Sequence, residues 1–179
     1  QTYGLQREEI IKQSSVVSKN LELRKSSVLN QDLENILKNI ILNLDSEKGG
    51  YKGAPKFPIF NIYDSLLYFF NKTKNTLYLE PVKLILKQLC SQGIYDHVEG
   101  GLSRYTVDEN WLIPHFEKML YDNAQFVLLL SKYLKINKDS YFEKKIIQTI
   151  EFINKNFLNP NSNLLGSAYD ADSDGEEGK

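Results

Sequence analysis

Apolar residues recur at spacings of three and four along most of this 179-residue chain, a period that helices satisfy and strands do not. Leu33, Ile36, Leu37, Ile40, Ile41 and Leu44 form the clearest run and predict a helix over 31–45, with Asn30 as its N-cap and Gly49-Gly50 just past its end. Leu5, Ile10, Ile11, Val16 and Val17 predict a helix over 4–20. Further helices are expected over 62–72, 79–91 and 139–157, the last stopping before Pro160. Another is expected to start at Pro114, where the missing proline N–H would be unpaired anyway, and to run to Leu134. No parallel-sheet pattern is present. The expected fold class is all-α, built of antiparallel helical hairpins with short β-hairpins in the loops. One such β-hairpin would pair Leu102 to Thr106 with Asn110 to Ile113 around Val107-Asp108-Glu109.

The segments between helices recur. Gly49-Gly50-Tyr51, Gly100-Gly101-Leu102 and Leu164-Leu165-Gly166 each follow a helical run, which reads as stacked hairpins with their long loops at one end. Net charge is −1 and the basic residues are scattered among acidic ones, so no field favours nucleic acid or an anionic membrane. The apolar runs are short, Val127 to Leu130 among them, and fall far below the roughly 20 residues a bilayer span needs. With a single cysteine, Cys90, there is no internal disulfide, and the expected compartment is the cytoplasm. Cys90 itself is expected to be a buried, inert thiol. The first residue, Gln1, and an acidic, glycine-containing end at Lys179 suggest a fragment of a longer protein.

Residues 93–125 hold both histidines, the one tryptophan and the one methionine, with Asp, Glu, Arg, Lys and Tyr interleaved. Such a mixture suits a concave binding or catalytic wall. On the helix expected from Pro114, Phe116, Met119, Leu120, Phe126, Val127 and Leu130 share the core face, and His115, Lys118 and Asp122 fall together at its edge. A carboxylate near a histidine fixes its tautomer and suits acid–base work, although His115 and Glu117 serve equally well as helix caps. Asp96-His97 is a second acid–base pair, or a solvated loop. Arg104 can grip a carboxylate or phosphate, or pair with Asp108 in its own hairpin. Tyr95, Tyr105 and Trp111 can stack on sugar rings, with a hydrophobic plug the favoured role for Trp111. Asn123 falls in the apolar arc and is expected to brace a loop. Tyr51, Lys56 and Phe57 form an aromatic–basic loop stiffened by Pro55 and Pro58. Asp170-Ala171-Asp172-Ser173-Asp174-Gly175 has the opening of an EF-hand calcium loop, but its twelfth position lies beyond the chain and no helix enters it.

Three blocks, GGYKGAPKFP (49–58), GIYDHVEGGLSRYTVDENWLIPHFEKMLYDNAQ (93–125) and DADSDGEEGK (170–179), resemble the spermatogenesis-associated protein family, whose bacterial members are called thioredoxin-domain-containing proteins. The resemblance covers about residues 31–179. Ser103 stands where the family commonly has histidine, and Gln92 and Glu99 also depart from its pattern.

That resemblance implies a thioredoxin-like domain followed by an (α/α)6 toroid similar to six-hairpin glycosidases and N-acylglucosamine 2-epimerases. Residues 1–30 would then be a linker helix after the thioredoxin-like domain, which this chain lacks, and 31–179 the N-terminal part of the toroid. The function implied is a carbohydrate-active or related small-metabolite enzyme of epimerase or glycosidase type, inactive as this piece alone. The alternative is a non-catalytic scaffold or peptide-binding module serving the thioredoxin-like domain. Catalytic roles fall to His115 as acid/base and to Asp170 or Asp172 as the carboxylate opposite it. Arg104, Tyr105, Trp111, Asp96, His97, Lys118 and Asp122 would bind substrate. No metal or other cofactor is expected. Partners would be a sugar or small molecule, the absent domain and the rest of the toroid, and a second copy through unburied helix faces.

Overall fold

The computed structural model describes residues 7–23, 32–173 and 175–177. They form two compact units, 1–40 and 41–179. In the first, helix α1 spans Arg7–Leu23. Helix α2, Leu33–Asn43, crosses the boundary between the units. Its expected cap, Asn30, lies outside the described residues.

The second unit is a set of helical hairpins. Helices α3 (Phe60–Thr73) and α4 (Leu79–Ser91) pack together across a 3-10 turn at Thr76–Tyr78. Lys74 ends α3 in the left-handed conformation, its N–H bonded to Phe70 O, and Asn75 caps the next turn at Leu77 N. Helices α5 (Leu120–Leu134) and α6 (Ser140–Asn156) form the next hairpin, with the Asp139 carboxylate accepting from Tyr141 N. Helices α3 and α5 also pack on each other. The core between them is Leu66, Leu67, Ile85, Leu86, Leu89, Phe126, Leu130 and Phe152. Cys90 is buried there as expected, and burial pushes its thiol up to about 12.

The tight turns lie between α3 and α4 and between α5 and α6. The other loops, after α2, α4 and α6, are long and share one lock. Asp45 N donates to Gly50 O, and Gly49 N to Asp45 O; the same bonds join Asp96, Gly100 and Gly101, and again Asn159, Asn163 and Leu164. In each, the side chain at the first position accepts from the two backbone N–H groups that follow at i+2 and i+3. A bridge closes each loop, Leu44 to Tyr51, Tyr95 to Leu102 and Leu158 to Leu165. The third repeat therefore centres on Asn163, at φ +55°, and not on Gly166 as the glycine pattern suggested. Asparagine tolerates the left-handed region, so the repeat survives without its glycine.

In the first two loops a lysine completes the lock. Lys56 Nζ donates to Asp45 Oδ2 at 2.9 Å and Gly49 O at 2.8 Å, under Trp111. Lys118 Nζ donates to Asp96 Oδ2 at 2.7 Å and Gly100 O at 3.1 Å, under Phe152. The same two rings cover the second glycine of each pair, so close that a Cβ on Gly50 would sit 2.7 Å from Trp111 and one on Gly101 2.5 Å from Phe152.

Two expectations are corrected. Residues 114–119 are not helical. Strand β1 (Tyr105–Thr106) pairs with β2 (Pro114–His115), and β3 (Lys118–Met119) with β4 (Ala168–Tyr169). Proline's fixed φ suits an extended strand as well as a first helical turn, and here ladder bonds use the backbone. The β-hairpin exists but with a longer loop than expected, pairing Tyr105 with His115 and Thr106 with Pro114. Asp108 holds that loop by accepting from Asn110, Leu112 and Ile113 N–H groups.

Candidate functional site

Loops from successive hairpins are sewn together at one place. Lys56 and Thr106 exchange both backbone bonds at 2.9 Å, β1 joins β2, Arg104 N donates to Glu117 O at 2.8 Å, and β3 joins β4. Three rings stack along this seam: Phe57 on Tyr105 at 4.8 Å between centroids, and Tyr105 on His115 at 4.9 Å. Beside Phe57, a cleft of about 280 Å³ opens between the first loop and the start of α5, lined by Phe57, Arg104, Tyr121, Asp122 and Gln125.

Asp122 stands apart from the other groups of this wall. It sits in the first turn of α5, 8% exposed, and no hydrogen bond from the described residues reaches its carboxylate. Burial pushes its pKa up to about 6; the positive charge of Arg104 opposes this and the negative charge of Glu117 adds to it. Arg104 relieves Asp122 only through its charge and not by a bond, because its Nη1 is bonded to Glu117 Oε2 at 3.0 Å. The pairing of Arg104 with Asp108 does not form; the Asp108 carboxylate is occupied by its own loop. A carboxyl that titrates near neutrality can give or take a proton there.

The other expected residues separate into two groups. His115, Lys118 and Asp122 do not share a helix edge, because residues 115 and 118 lie in strands. Phe116, expected in the core, is 57% exposed for the same reason. Trp111 is wholly buried, its Nε1–H donating to Lys48 O, so it is a plug and not a sugar-stacking wall. Asp96 and Lys118 are bonded to each other within the loop lock. His97 is exposed, with Nε2 at 3.0 Å from Gln92 O and Nδ1 at 3.3 Å from Lys145 Nζ. Asn123 is buried and braces the second loop, accepting from Leu102 N and donating to Leu102 O and Met119 O.

Asp170 and Asp172 are exposed, just past the strand that pairs with Lys118. The segment β5 (Asp172–Ser173) pairs with β6 (Glu176–Glu177), Asp174 lies outside the described residues, and among those described no three His, Cys, Asp or Glu side chains gather as a metal site. Neither Tyr121 nor Gln125 is among the expected binding residues, although both lie within a turn of Asp122 on α5.

No protein-family model matches the chain. It is 38% identical over 138 residues to rat spermatogenesis-associated protein 20, a match covering 75% of this chain and 17% of that protein. The human protein of the same name is 34% identical over 139 residues, covering 75% of this chain and 18% of that one. The chain thus spans under a fifth of the length of these relatives. Among solved structures, cellobiose 2-epimerase from Bacillus thermoamylovorans superposes with a TM-score of 0.63 at 20% identity, over 76% of this chain and 40% of that one. A family 76 glycoside hydrolase from a bovine Bacteroides thetaiotaomicron strain gives 0.54 at 18% identity, over 63% and 23%. The chain is thus similar to the spermatogenesis-associated proteins, and its fold is that of part of an (α/α)6 toroid. No described helix is long and apolar enough to cross a membrane.

Proposed function

We propose that the cleft beside Phe57 binds a carbohydrate and that Asp122 exchanges a proton with it, as an enzyme of epimerase or glycosidase type would require. The observation that carries this reading is the buried Asp122 carboxyl, with its pKa near 6, at the wall of an open cleft. Phe57 and Tyr121 are both exposed there and offer aromatic faces to the C–H face of a sugar ring. Arg104, half-exposed, offers its remaining N–H donors to hydroxyl groups. His115 contributes through the ring stack, and Asp170 and Asp172 stand at the margin. The proposed compartment is the cytoplasm, which suits a chain with one buried cysteine.

A second reading, a non-catalytic scaffold, draws support from a different observation. Lys56 with Asp45, Lys118 with Asp96, and Arg104 with Glu117 are closed internal ion pairs. Titrating cellobiose into the isotopically labelled chain while recording amide NMR shifts separates the two. Shifts confined to Arg104, Tyr121, Asp122 and Gln125, and weakened by Asp122→Asn, are expected for the carbohydrate site. No shift there with cellobiose or a panel of other neutral sugars would leave the scaffold.

A further inference from the structure

Three lysines of the second unit are buried, and they are not alike. Lys56 and Lys118 each have a carboxylate and a backbone carbonyl. Lys145, on α6 and 6% exposed, has neither. Its Nζ lies 3.9 Å from the centre of the Tyr95 ring and 5.6 Å from that of Tyr141. Among the described residues its one hydrogen-bond partner is His97 Nδ1 at 3.3 Å.

The surrounding charges are already committed. Asp96 is held by Lys118 and Glu99 by Lys155. The Tyr95 hydroxyl is shared with Thr149, and the Tyr141 hydroxyl donates to Cys90 O. Cys90 is kept as the neutral thiol by burial. Among the described residues an ammonium ion here has ring faces but no counter-ion, and burial lowers its pKa.

The histidine is set to receive the proton. Gln92 O can only accept, so His97 Nε2 carries hydrogen and Nδ1 presents its lone pair to Lys145. His97 is exposed, so the amine lies one side chain from solvent.

We propose that Lys145 is a nucleophilic amine that condenses with a small aldehyde, with His97 as its proton acceptor. Lys145 passes one proton to His97 Nδ1, and the free amine attacks the aldehyde carbon. The carbonyl π pair moves to oxygen, which takes the proton back from His97, leaving a carbinolamine. The nitrogen then yields a second proton to the departing hydroxyl, water leaves, and a protonated imine remains. One ammonium and one aldehyde give one iminium and one water, with no oxidant or reductant consumed. This amine is remote in sequence from the cleft residues, and its chemistry stands or falls independently of the carbohydrate reading.

The test treats the folded chain at neutral pH with a limiting amount of glycolaldehyde, traps the imine with cyanoborohydride, and maps modified lysines by peptide mass spectrometry. Lys145 is expected to react several-fold faster than its exposed neighbour Lys144. The variant His97→Gln should slow Lys145 while leaving Lys144 and the melting temperature unchanged. Labelling of Lys145 no faster than Lys144 would overturn the proposal, as would undiminished labelling in the His97→Gln chain. Either result would make the lysine a structural post against Tyr95.

Discussion

Replacing Asp122 with asparagine should stabilise the protein above neutrality, and the size of the effect follows from where the carboxyl sits. Its pKa rises from an ordinary 3.8 to about 6, mainly because burial disfavours the anion. A carboxyl raised in this way binds more protons folded than unfolded between those two values, so stability falls as pH rises through that window. At about 1.4 kcal/mol per pKa unit, the anion costs the native state up to about 3 kcal/mol above pH 6. The carboxyl borders an open cleft, so solvent reaching it reduces this, and about 1–3 kcal/mol is the expected range. Urea unfolding of both proteins from about pH 4 to pH 8 measures it, since subtraction removes the titration of every other group. The two chains should differ little near pH 4, and the variant should gain through pH 4 to 6 and plateau above. A constant difference, or a variant weaker at every pH, would refute the argument from burial. A stabilising substitution at an open cleft is the trade expected where function requires an ill-solvated charge.

Other outcomes follow from the same geometry. Glu117→Gln removes a negative neighbour and frees Arg104 to turn to Asp122, so the Asp122 carboxyl titration, followed by carbon NMR, should move down from about 6; no movement would mean Glu117 does not set it. Lys118→Met leaves the partly exposed Asp96 carboxylate with only its backbone donors and should cost about 1–3 kcal/mol in urea unfolding. Gly101→Ala meets the Phe152 ring at 2.5 Å at φ +83° and should lower the melting temperature well beyond Gly53→Ala, which has open space and only backbone strain at φ +90°. At Asp45, burial works against the anion, but hydrogen bonds from Lys48, Lys56 and Glu47 outweigh it and bring the pKa to about 2. Its contribution to stability should be intact above pH 4 and drain away as pH falls through 2, opposite in sign to Asp122.

Helix periods were legible because core faces repeat every third or fourth residue, and α4 lies over the residues its period marked. The segment at Pro114 misled because Phe116, Met119 and Leu120 keep helical spacing while the backbone pairs first within its own hairpin and then with a strand distant in sequence. No local signal records a partner such as Tyr169. The same distance hid the lysines' roles. Lys118 and Lys145 are alike in composition, and only folding gives one a carboxylate and the other an imidazole. Asp122 was visible as a candidate, but its solitude depends on Glu117 holding Arg104, which is a tertiary fact.

The lock shared by the long loops has a consequence for how such a chain diversifies. Each loop closes on itself through an Asp or Asn side chain before it touches a neighbour, so it behaves as a cassette with its own fastening. Exposed residues between the fastening and the next helix, apart from the buried Lys56, Trp111 and Lys118 that complete the locks, can be exchanged with little penalty to the helices beneath. The third cassette already runs with asparagine in place of aspartate and without the glycine pair. A library confined to the exposed residues of 104–117, sparing Thr106 and Trp111, would therefore vary the rim beside Arg104 while the Asp96 and Asp45 fastenings keep the frame in register.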